Sequence, residues 1–354
     1  MLQNEYKVIG VMSGTSLDGI DLATLNFSLS ENKTWEFQIL NAETIPYPLE
    51  WIKDLKEGIS YSEENLKILN KDYTLYLSDV IKSFINKYDL KSIDAVCSHG
   101  HTILHQPNDG TTLQIGNLPE IANLIQQKVV CDFRVQDVEL GGQGAPLVPI
   151  GDQLLFSEYD YCLNLGGFAN VSSEKNEKRI AYDICPVNIV LNKYAEQLGV
   201  PFDDKGNLAK SGTVDKDLFS RLQKLPFYFE TPPKSLGLEW GQANIFPILE
   251  SSISSEIDKL STFTEHIAFQ IAKQFHKNSK ILVTGGGAFN SYLLSRIKYY
   301  KNVELILPSK ELIEYKEALI FGLLGVLKLR DEVNCLSSVT GAKKDHSSGK
   351  IHLL

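Results

Sequence analysis

The sequence predicts a soluble, two-lobed mixed α/β protein, and three observations predict it. Its 354 residues exceed what one compact core needs and suit two lobes of ordinary domain size. Apolar runs of strand length alternate with longer stretches of helical periodicity, the pattern of α/β layers. Both halves open with strand, small-residue turn, strand, and such a hairpin start predicts a mixed sheet rather than a purely parallel one.

In chain order, Lys7–Met12 reads as a buried strand and Ile20–Phe27 as its hairpin partner across a polar tip. Asn65–Tyr88 places Leu66, Leu69, Val80 and Phe84 at helical spacing. Ile93–Cys97 reads as a short strand opening into Ser98-His99-Gly100-His101. Pro119–Gln127 suits a helix with proline in its first turn, and Val129–Phe133 a strand before Gly141-Gly142-Gln143-Gly144. Pro146 and Pro149 mark a boundary region at 145–160, giving lobes 1–150 and 151–354, with the last helix able to cross back to the first. The second half repeats the opening: Tyr161–Leu165, Gly166-Gly167, then Phe168–Ser172. Helices follow over Asn188–Leu198 and about Asn244–His276. Lys280–Val283 is a strand ending in Thr284-Gly285-Gly286-Gly287, and Val303–Leu307 is another. The helix Ile313–Leu329 carries Gly322 and Gly325, which suit close packing.

A formal charge of -9 argues against a nucleic-acid partner, which needs a basic face. Five cysteines, odd in number and without a C-x-x-C pair, suggest reduced thiols and a cytoplasmic setting. The most apolar stretch, Ala318–Leu327, is far shorter than the ~20 residues of a membrane span, and no leader peptide is evident.

Three glycine-bearing tips carry the chemistry. In Gly14-Thr15-Ser16-Leu17-Asp18-Gly19, glycines let backbone N–H groups approach phosphate and hydroxyls add donors. Asp18 or Asp21 could hold the Mg²⁺ of a nucleotide. An ordinary tight turn uses the same residue types. A second tip at Gly166-Gly167 would grip the other end of a triphosphate across a cleft, and Gly285-Gly286-Gly287 would let adenine or ribose lie against backbone. None fits G-x-x-x-x-G-K-S/T, and no G-x-G-x-x-G opens a helix after a strand. Asp183 can be a general base or a capping or turn aspartate. Arg134 and Asp137 can form a buried ion pair or touch substrate. His99, His101 and His105 lack acidic or cysteine partners at metal-ligand spacing and read better as a polar loop or hydrogen-bonded structure.

The order of these turns resembles that of sugar kinases, actin and the heat-shock ATPases. More narrowly, the whole chain resembles the anhydro-N-acetylmuramic acid kinases. The matching segments are Val11–Asp21, Ser98–Thr102, Leu113–Gly116, Asp132–Arg134, Gly141–Pro149, Asn164–Asn170, Pro233–Gly237, Gly285–Gly287 and Ser338–Ala342. The resemblance implies a two-lobed actin-like (ribonuclease H-like) ATPase fold with an interlobe cleft. It implies conversion of 1,6-anhydro-N-acetylmuramic acid, ATP and water to N-acetylmuramic acid 6-phosphate and ADP in peptidoglycan recycling. Gly14, Thr15, Ser16, Leu17, Asp18, Gly19, Ile20 and Asp21 fall on the ATP-phosphate segment, with Asp18 as the candidate Mg²⁺ ligand. Asp183 falls on the catalytic aspartate that activates water. Matching segments nominate Gln114, Arg134, Asp137 and Lys234 as sugar contacts, and the family commonly forms homodimers.

Two departures stand out. Where the family usually has D-T-G-P-G-N, this chain has Asp183-Ile184-Cys185-Pro186-Val187-Asn188, so Cys185 and Val187 add bulk and restrict the backbone beside the base. Met12 stands where much of the superfamily carries an acid, a departure the family shares. Alternatives are a hexose or amino-sugar kinase without coupled hydrolysis, a nucleotide-dependent interaction module, and a degenerate homologue.

Overall fold

The computed structural model describes residues 3–14 and 16–354; Thr15 of the first tip lies outside the described residues. The chain splits into two compact units, Met1–Leu155 with Tyr315–Leu354, and Phe156–Glu314. Among the described residues twelve strands form two sheets: β1 (Glu5–Ser13), β2 (Ile20–Leu29), β3 (Trp35–Ile45), β4 (Ala95–Gln106), β5 (Thr111–Ile115), β6 (Val129–Cys131), β7 (Tyr161–Leu165), β8 (Phe168–Lys175), β9 (Lys178–Pro186), β10 (Lys280–Thr284), β11 (Glu304–Ile306) and β12 (Lys350–His352).

The first unit's sheet runs β12-β6-β4-β1-β2-β3, with β5 on β4. β2 runs antiparallel to both β1 and β3, while β4 lies parallel to β1 and β6 parallel to β4. The second unit's sheet runs β11-β10-β7-β8-β9, with β7, β8 and β9 antiparallel and β10 and β11 parallel additions. Setting β12 and β5 aside, strand order and senses are the same in both sheets. This is the ribonuclease H-like unit of actin-like ATPases, twice in one chain. The echo of strand, turn, strand in the sequence is therefore a repeated sheet topology.

The central strands are buried on both faces, and so they read as apolar runs rather than alternations. Each sheet has its own buried core. In the first unit it joins Ile9, Leu22, Tyr73, Leu77, Ile81, Phe84 and Val96. In the second it joins Leu163, Leu165, Val171, Leu191, Phe263, Ile267, Ile281 and Ile297. The helix Glu63–Lys87 starts at Ser62, whose hydroxyl accepts from the Asn65 amide at 3.3 Å.

Several boundaries differ from the sequence reading. β4 does not stop at Cys97 but continues through Ser98–Thr102 to Gln106, because those polar side chains find partners inside the fold. β3 and β5 lack a strong apolar alternation, and the sequence reading places no strand at either. The expected helix over 244–276 is broken between Glu250 and Glu256. Gly322 and Gly325 face this chain's own sheet: a Cβ on Gly322 would collide with Leu25 Cδ1, and one on Gly325 with Cys97 Sγ. Their smallness serves intrachain packing and gives no support to a homodimer.

Candidate active site

In both units the singled-out residues gather at the carboxyl ends of the parallel strands, where α/β sheets place their ligands.

In the first unit, β1 and β2 pair from Glu5↔Ser28 to Ser13↔Ile20, so residues 14–19 form the hairpin tip. Leu17 adopts the left-handed region (φ 62°) and its amide donates to the Gly14 carbonyl at 3.3 Å. Gly14 has open space where a Cβ would stand, its nearest neighbour being Ser16 Oγ at 3.6 Å. Gly19 has none: a Cβ would meet the Ile45 carbonyl oxygen at 2.5 Å. One glycine of the tip is thus open for a ligand and the other is required by packing. Asp18 and Ser16 are exposed. Asp21 is half-buried and accepts from Thr44 Oγ1 at 2.5 Å, directly across β3. Ile20 is fully buried and anchors the tip rather than lining it.

Behind the tip runs a chain of buried hydrogen bonds. Ser13 Oγ bonds His101 Nδ1 at 2.7 Å and Tyr47 Oη at 2.5 Å, and Tyr47 Oη bonds Tyr73 Oη at 2.5 Å. Burial holds the His101 imidazole down at about 4, and burial raises Tyr47 to about 12. His99 lies next along β4. Arg134 Nε donates to His99 Nε2 at 2.9 Å, which puts the His99 proton on Nδ1, where it donates to the Gly100 carbonyl at 2.9 Å. Burial and the adjacent Arg134 charge keep His99 neutral well below the usual histidine range. The β1–β4 register shifts between Val11 and Ser13, a bulge that sets which of these side chains faces the tip. The histidines are hydrogen-bonded structure, and among the described residues they belong to no group that could share a metal ion.

Of the nominated sugar contacts, Gln114 is 4% exposed; its Nε2 donates to Thr112 Oγ1 at 2.9 Å, while its Oε1 has no partner among the described residues. Arg134 is half-buried and donates through NH1 to the Gly144 carbonyl at 2.7 Å. Asp137 is a correction. It is 0% exposed, and its oxygens accept from the Gly144 amide at 2.7 Å and Thr340 Oγ1 at 2.7 Å. A carboxylate with no accessible surface and its oxygens bonded from within cannot reach a sugar, nor does it pair with Arg134.

In the second unit, three turns meet at one rim. The Val187 amide donates to the Gly167 carbonyl at 2.8 Å and the Asn188 amide to that of Gly166 at 3.3 Å. Gly285 stands at φ 80°, where a Cβ would meet Asn164 Oδ1 at 2.5 Å, so only glycine lets the third turn close on β7. Gly286 is exposed and unobstructed, and Gly287 is buried against Leu165.

Asp183 sits inside β9 rather than at a helix cap or turn. The β8–β9 register shifts there, with Asn170↔Asp183 followed by Ala169↔Cys185, so Ile184 is the extra residue of a bulge. Without it, Asp183 and Cys185 would share a face. The bulge turns Cys185 into the core and leaves Asp183 half-buried at the rim. The segment before Gly237 lies against this point. The Asp183 amide donates to the Lys234 carbonyl at 3.0 Å, and the Leu236 amide donates to Asp183 Oδ2 at 2.7 Å. Burial raises the Asp183 carboxyl above its ordinary range, and the Leu236 bond only partly offsets this. Lys234 Nζ donates to the Phe227 carbonyl at 2.9 Å and lies 4.3 Å from that ring's centre; burial lowers its pKa.

Cys185 and Val187 are both 0% exposed and belong to the second unit's core. Their bulk therefore points away from the rim, and neither adopts a positive φ. The two lost glycines do not crowd the aspartate.

A family model, anhydro-N-acetylmuramic acid kinase, matches residues 6–353. The chain belongs to the anhydro-N-acetylmuramic acid kinase family. The kinase so named from Francisella tularensis subsp. novicida is 33% identical over 379 residues, covering 99% of both chains. That of Mannheimia succiniciproducens is 35% identical over 379 residues, again covering 99% of both. Among solved structures, ligand-bound xylulose kinase from Lactobacillus acidophilus aligns with TM-score 0.43 and 11% identity, covering 96% of this chain and 93% of that one. Among the described residues, no helix is long and apolar enough to cross a membrane.

What the sequence reading missed is mostly backbone. The Leu236 amide that holds Asp183 carries no side-chain signature, although Pro233–Gly237 stood out as a matching segment. Thr44, which holds Asp21, lies on a strand that the reading did not place.

Proposed function

We propose that Asp183 is the general base of an ATP-dependent kinase acting on 1,6-anhydro-N-acetylmuramic acid. Family membership supplies the reaction class: the sugar, ATP and water become N-acetylmuramic acid 6-phosphate and ADP, in cell-wall recycling. The observation that carries the residue assignment is the bulge at Ile184, which aims one carboxylate with a raised pKa at the rim while burying its neighbours.

A base works best when its pKa is closer to the working pH than that of a free aspartate, and burial moves Asp183 in that direction. Leu236 N–H fixes Oδ2, so Oδ1 takes the proton from water. The hydroxide so generated bonds to the anomeric carbon, the C1–O6 bond breaks, and O6 bonds to the γ-phosphorus as ADP leaves. Gln114 Oε1, a buried acceptor without a partner among the described residues, suits a sugar hydroxyl or amide N–H. Lys234 and Arg134 are cations near the rims of their own units, and each by itself suits a sugar carboxylate.

The first tip receives phosphate on the open side of Gly14, and the turn at Gly285–Gly287 receives adenosine against the exposed Gly286. The tip fits a hydrated Mg²⁺, because Asp18 offers an exposed hard-oxygen donor and Asp21 a second, already oriented by Thr44. Bound there, the ion neutralises phosphate charge. A cytoplasmic location and a homodimer follow the family expectation, and light scattering tests the latter.

The deciding experiment supplies the anhydro-sugar and ATP in water labelled with heavy oxygen. Label at the anomeric oxygen, read before exchange, is expected. Label-free product sinks the coupled mechanism and favours a simple hydroxyl kinase.

A further inference from the structure

One cluster of the first unit is used by neither rim. Asp137, Cys335 and His346 come from distant parts of the sequence, yet their ligand atoms all lie within 4.8 Å of one another, and all three residues are buried. The Cys335 thiol donates to Asp137 Oδ1 at 3.1 Å, a bond that a metal ion would replace, and His346 Nε2 lies 3.7 Å from the same oxygen. We propose that these three side chains form a zinc site that staples the C-terminal tail to the helix Val135–Glu139.

The donor atoms are arranged as such a site needs them. A tetrahedral zinc with bonds of about 2.0–2.3 Å spaces its ligand atoms roughly 3.3–3.8 Å apart. The two distances from Asp137 Oδ1 lie within or just below that interval, and the third, from Cys335 Sγ to His346 Nε2, is no more than 4.8 Å, so an ion would draw these two side chains together. Cys335 and His346 are paired by an antiparallel bridge whose amides donate to each other's carbonyls at 3.1 and 3.2 Å. That bridge puts both side chains on one side of the tail. His346 Nδ1 donates to the Lys344 carbonyl at 3.1 Å, which makes Nε2 the ligating nitrogen of the neutral imidazole. That nitrogen, on a residue 5% exposed, has no hydrogen-bond partner among the described residues and faces Asp137. A buried nitrogen of this kind costs free energy unless something binds it.

The outer contacts are also those of a metal centre. Asp137 Oδ2 accepts from the Gly144 amide and Oδ1 from the Thr340 hydroxyl, orienting the carboxylate. Thiolate and imidazole select zinc over magnesium or calcium. Charge balances as well: binding releases the Cys335 thiol proton to solvent, and the resulting thiolate with the Asp137 carboxylate neutralises the dication. The three side chains supply three of the four ligands that a tetrahedral zinc takes.

The consequence is positional. Asp137 follows Arg134 by less than one helical turn, and Gly144, whose amide holds Asp137, offers its carbonyl to Arg134. An ion here would fix the segment that presents Arg134, which in turn holds His99 on β4, away from any bond that reacts.

The test uses the full-length enzyme. Metal content is measured after purification with zinc, and the chelated protein is then titrated with Co²⁺ while absorption is recorded. One zinc per chain is expected, together with a thiolate-to-cobalt charge-transfer band that saturates at one equivalent and a zinc-dependent rise in Tm. Cys335→Ser should abolish the band, and His346→Gln should weaken zinc at least ~10-fold, the scale on which even outer contacts act. Cys162→Ser, a buried thiol of the other unit, should keep band and stoichiometry. Persistence of the band in Cys335→Ser overturns the assignment. So does a wild-type protein with neither band nor Tm response, which decides the matter even where a variant fails to fold.

Discussion

Replacing Asp183 by Asn tests the base without disturbing the shape around it. The amide is isosteric, and its oxygen can still accept from the Leu236 N–H that now reaches Oδ2 at 2.7 Å. Loss of a positioned base costs about 10²- to 10⁴-fold in rate, which is about 3–5 kcal/mol of transition-state stabilisation. Folding should not suffer. Burial raises the Asp183 pKa in the folded state, so its protonated form is the favoured one there. The associated stability is full at low pH and is lost as pH rises through the folded value. A neutral Asn escapes that loss, so at neutral pH the variant should melt at or above the parent's Tm, the difference shrinking as pH falls. Asp183→Ala instead leaves the Leu236 N–H without its acceptor, and should destabilise by about 1 kcal/mol, the low end for a group that water can still reach. The assay is ADP release with anhydro-sugar and ATP, alongside thermal melts of all three proteins. An Asn variant that folds and keeps more than a tenth of the parental kcat/KM refutes the assignment of the base.

The remaining predictions concern the same rims. The kcat/KM profile should fall on the acid side at a pH above the ordinary carboxylate value of about 3.9, because Asp183 must be ionised to act; an acid limb at or below that value contradicts its burial. Gly14→Ala should fold normally and raise KM for ATP, since its Cβ meets only Ser16 Oγ at 3.6 Å and otherwise enters the space assigned to phosphate. Gly19→Ala should lose about 1–3 kcal/mol of stability by overpacking, its Cβ falling 2.5 Å from the Ile45 carbonyl; equal Tm values for the two variants would overturn this division. Ser13→Ala removes the hydroxyl shared by His101 and Tyr47 and should cost about 1–3 kcal/mol, read as a drop of roughly 2–4 °C per kcal/mol. Cys185→Gly should lower Tm through lost burial and added chain entropy without raising kcat; a faster enzyme would mean that the family glycine acts on the substrate after all.

Much of the fold is legible in the amino-acid sequence, for definable reasons. The turns at Gly14–Gly19, Gly166-Gly167 and Gly285–Gly287 announce themselves because glycine and strand-forming residues have strong local preferences. Hence the hairpin starts and the repeated topology can be anticipated. Asp183 is legible as a residue but not as a geometry: its direction depends on a bulge at Ile184, and a register shift leaves no mark in composition. The same gap explains Cys185 and Val187. Replacing glycine suggests bulk beside the base, but which face a strand residue occupies is decided by pairing, and the bulge puts both in the core. Asp137 is misleading in sequence for a related reason. Its partners Thr340 and Cys335 lie about two hundred positions along the chain, and only the folded tail reveals that the carboxylate is already occupied.

The two sheets share one topology but treat their strand ends differently, and the difference matches the division of labour proposed for them. In the second unit the rim is mainly backbone: two turns bonded amide to carbonyl, a third closed on β7 with glycine where a Cβ would block it, and one carboxylate admitted by a bulge. Backbone surfaces of this kind receive flat or uncharged ligand parts and keep a single titratable group in control. In the first unit the rim is backed by side chains, from Tyr73 through Tyr47 and Ser13 to His101, with His99 and Arg134 beside them. Burial keeps both histidines neutral at neutral pH, with the Arg134 charge adding to it at His99, so the network orients donors without adding charge that would vary with pH. A phosphate site needs fixed donors more than a tunable base, since phosphoryl transfer draws on positioning and charge neutralisation. The repeated fold supplies two equivalent sets of strand ends; in the proposed function, register shifts and buried partners decide which becomes the cradle and which carries the base.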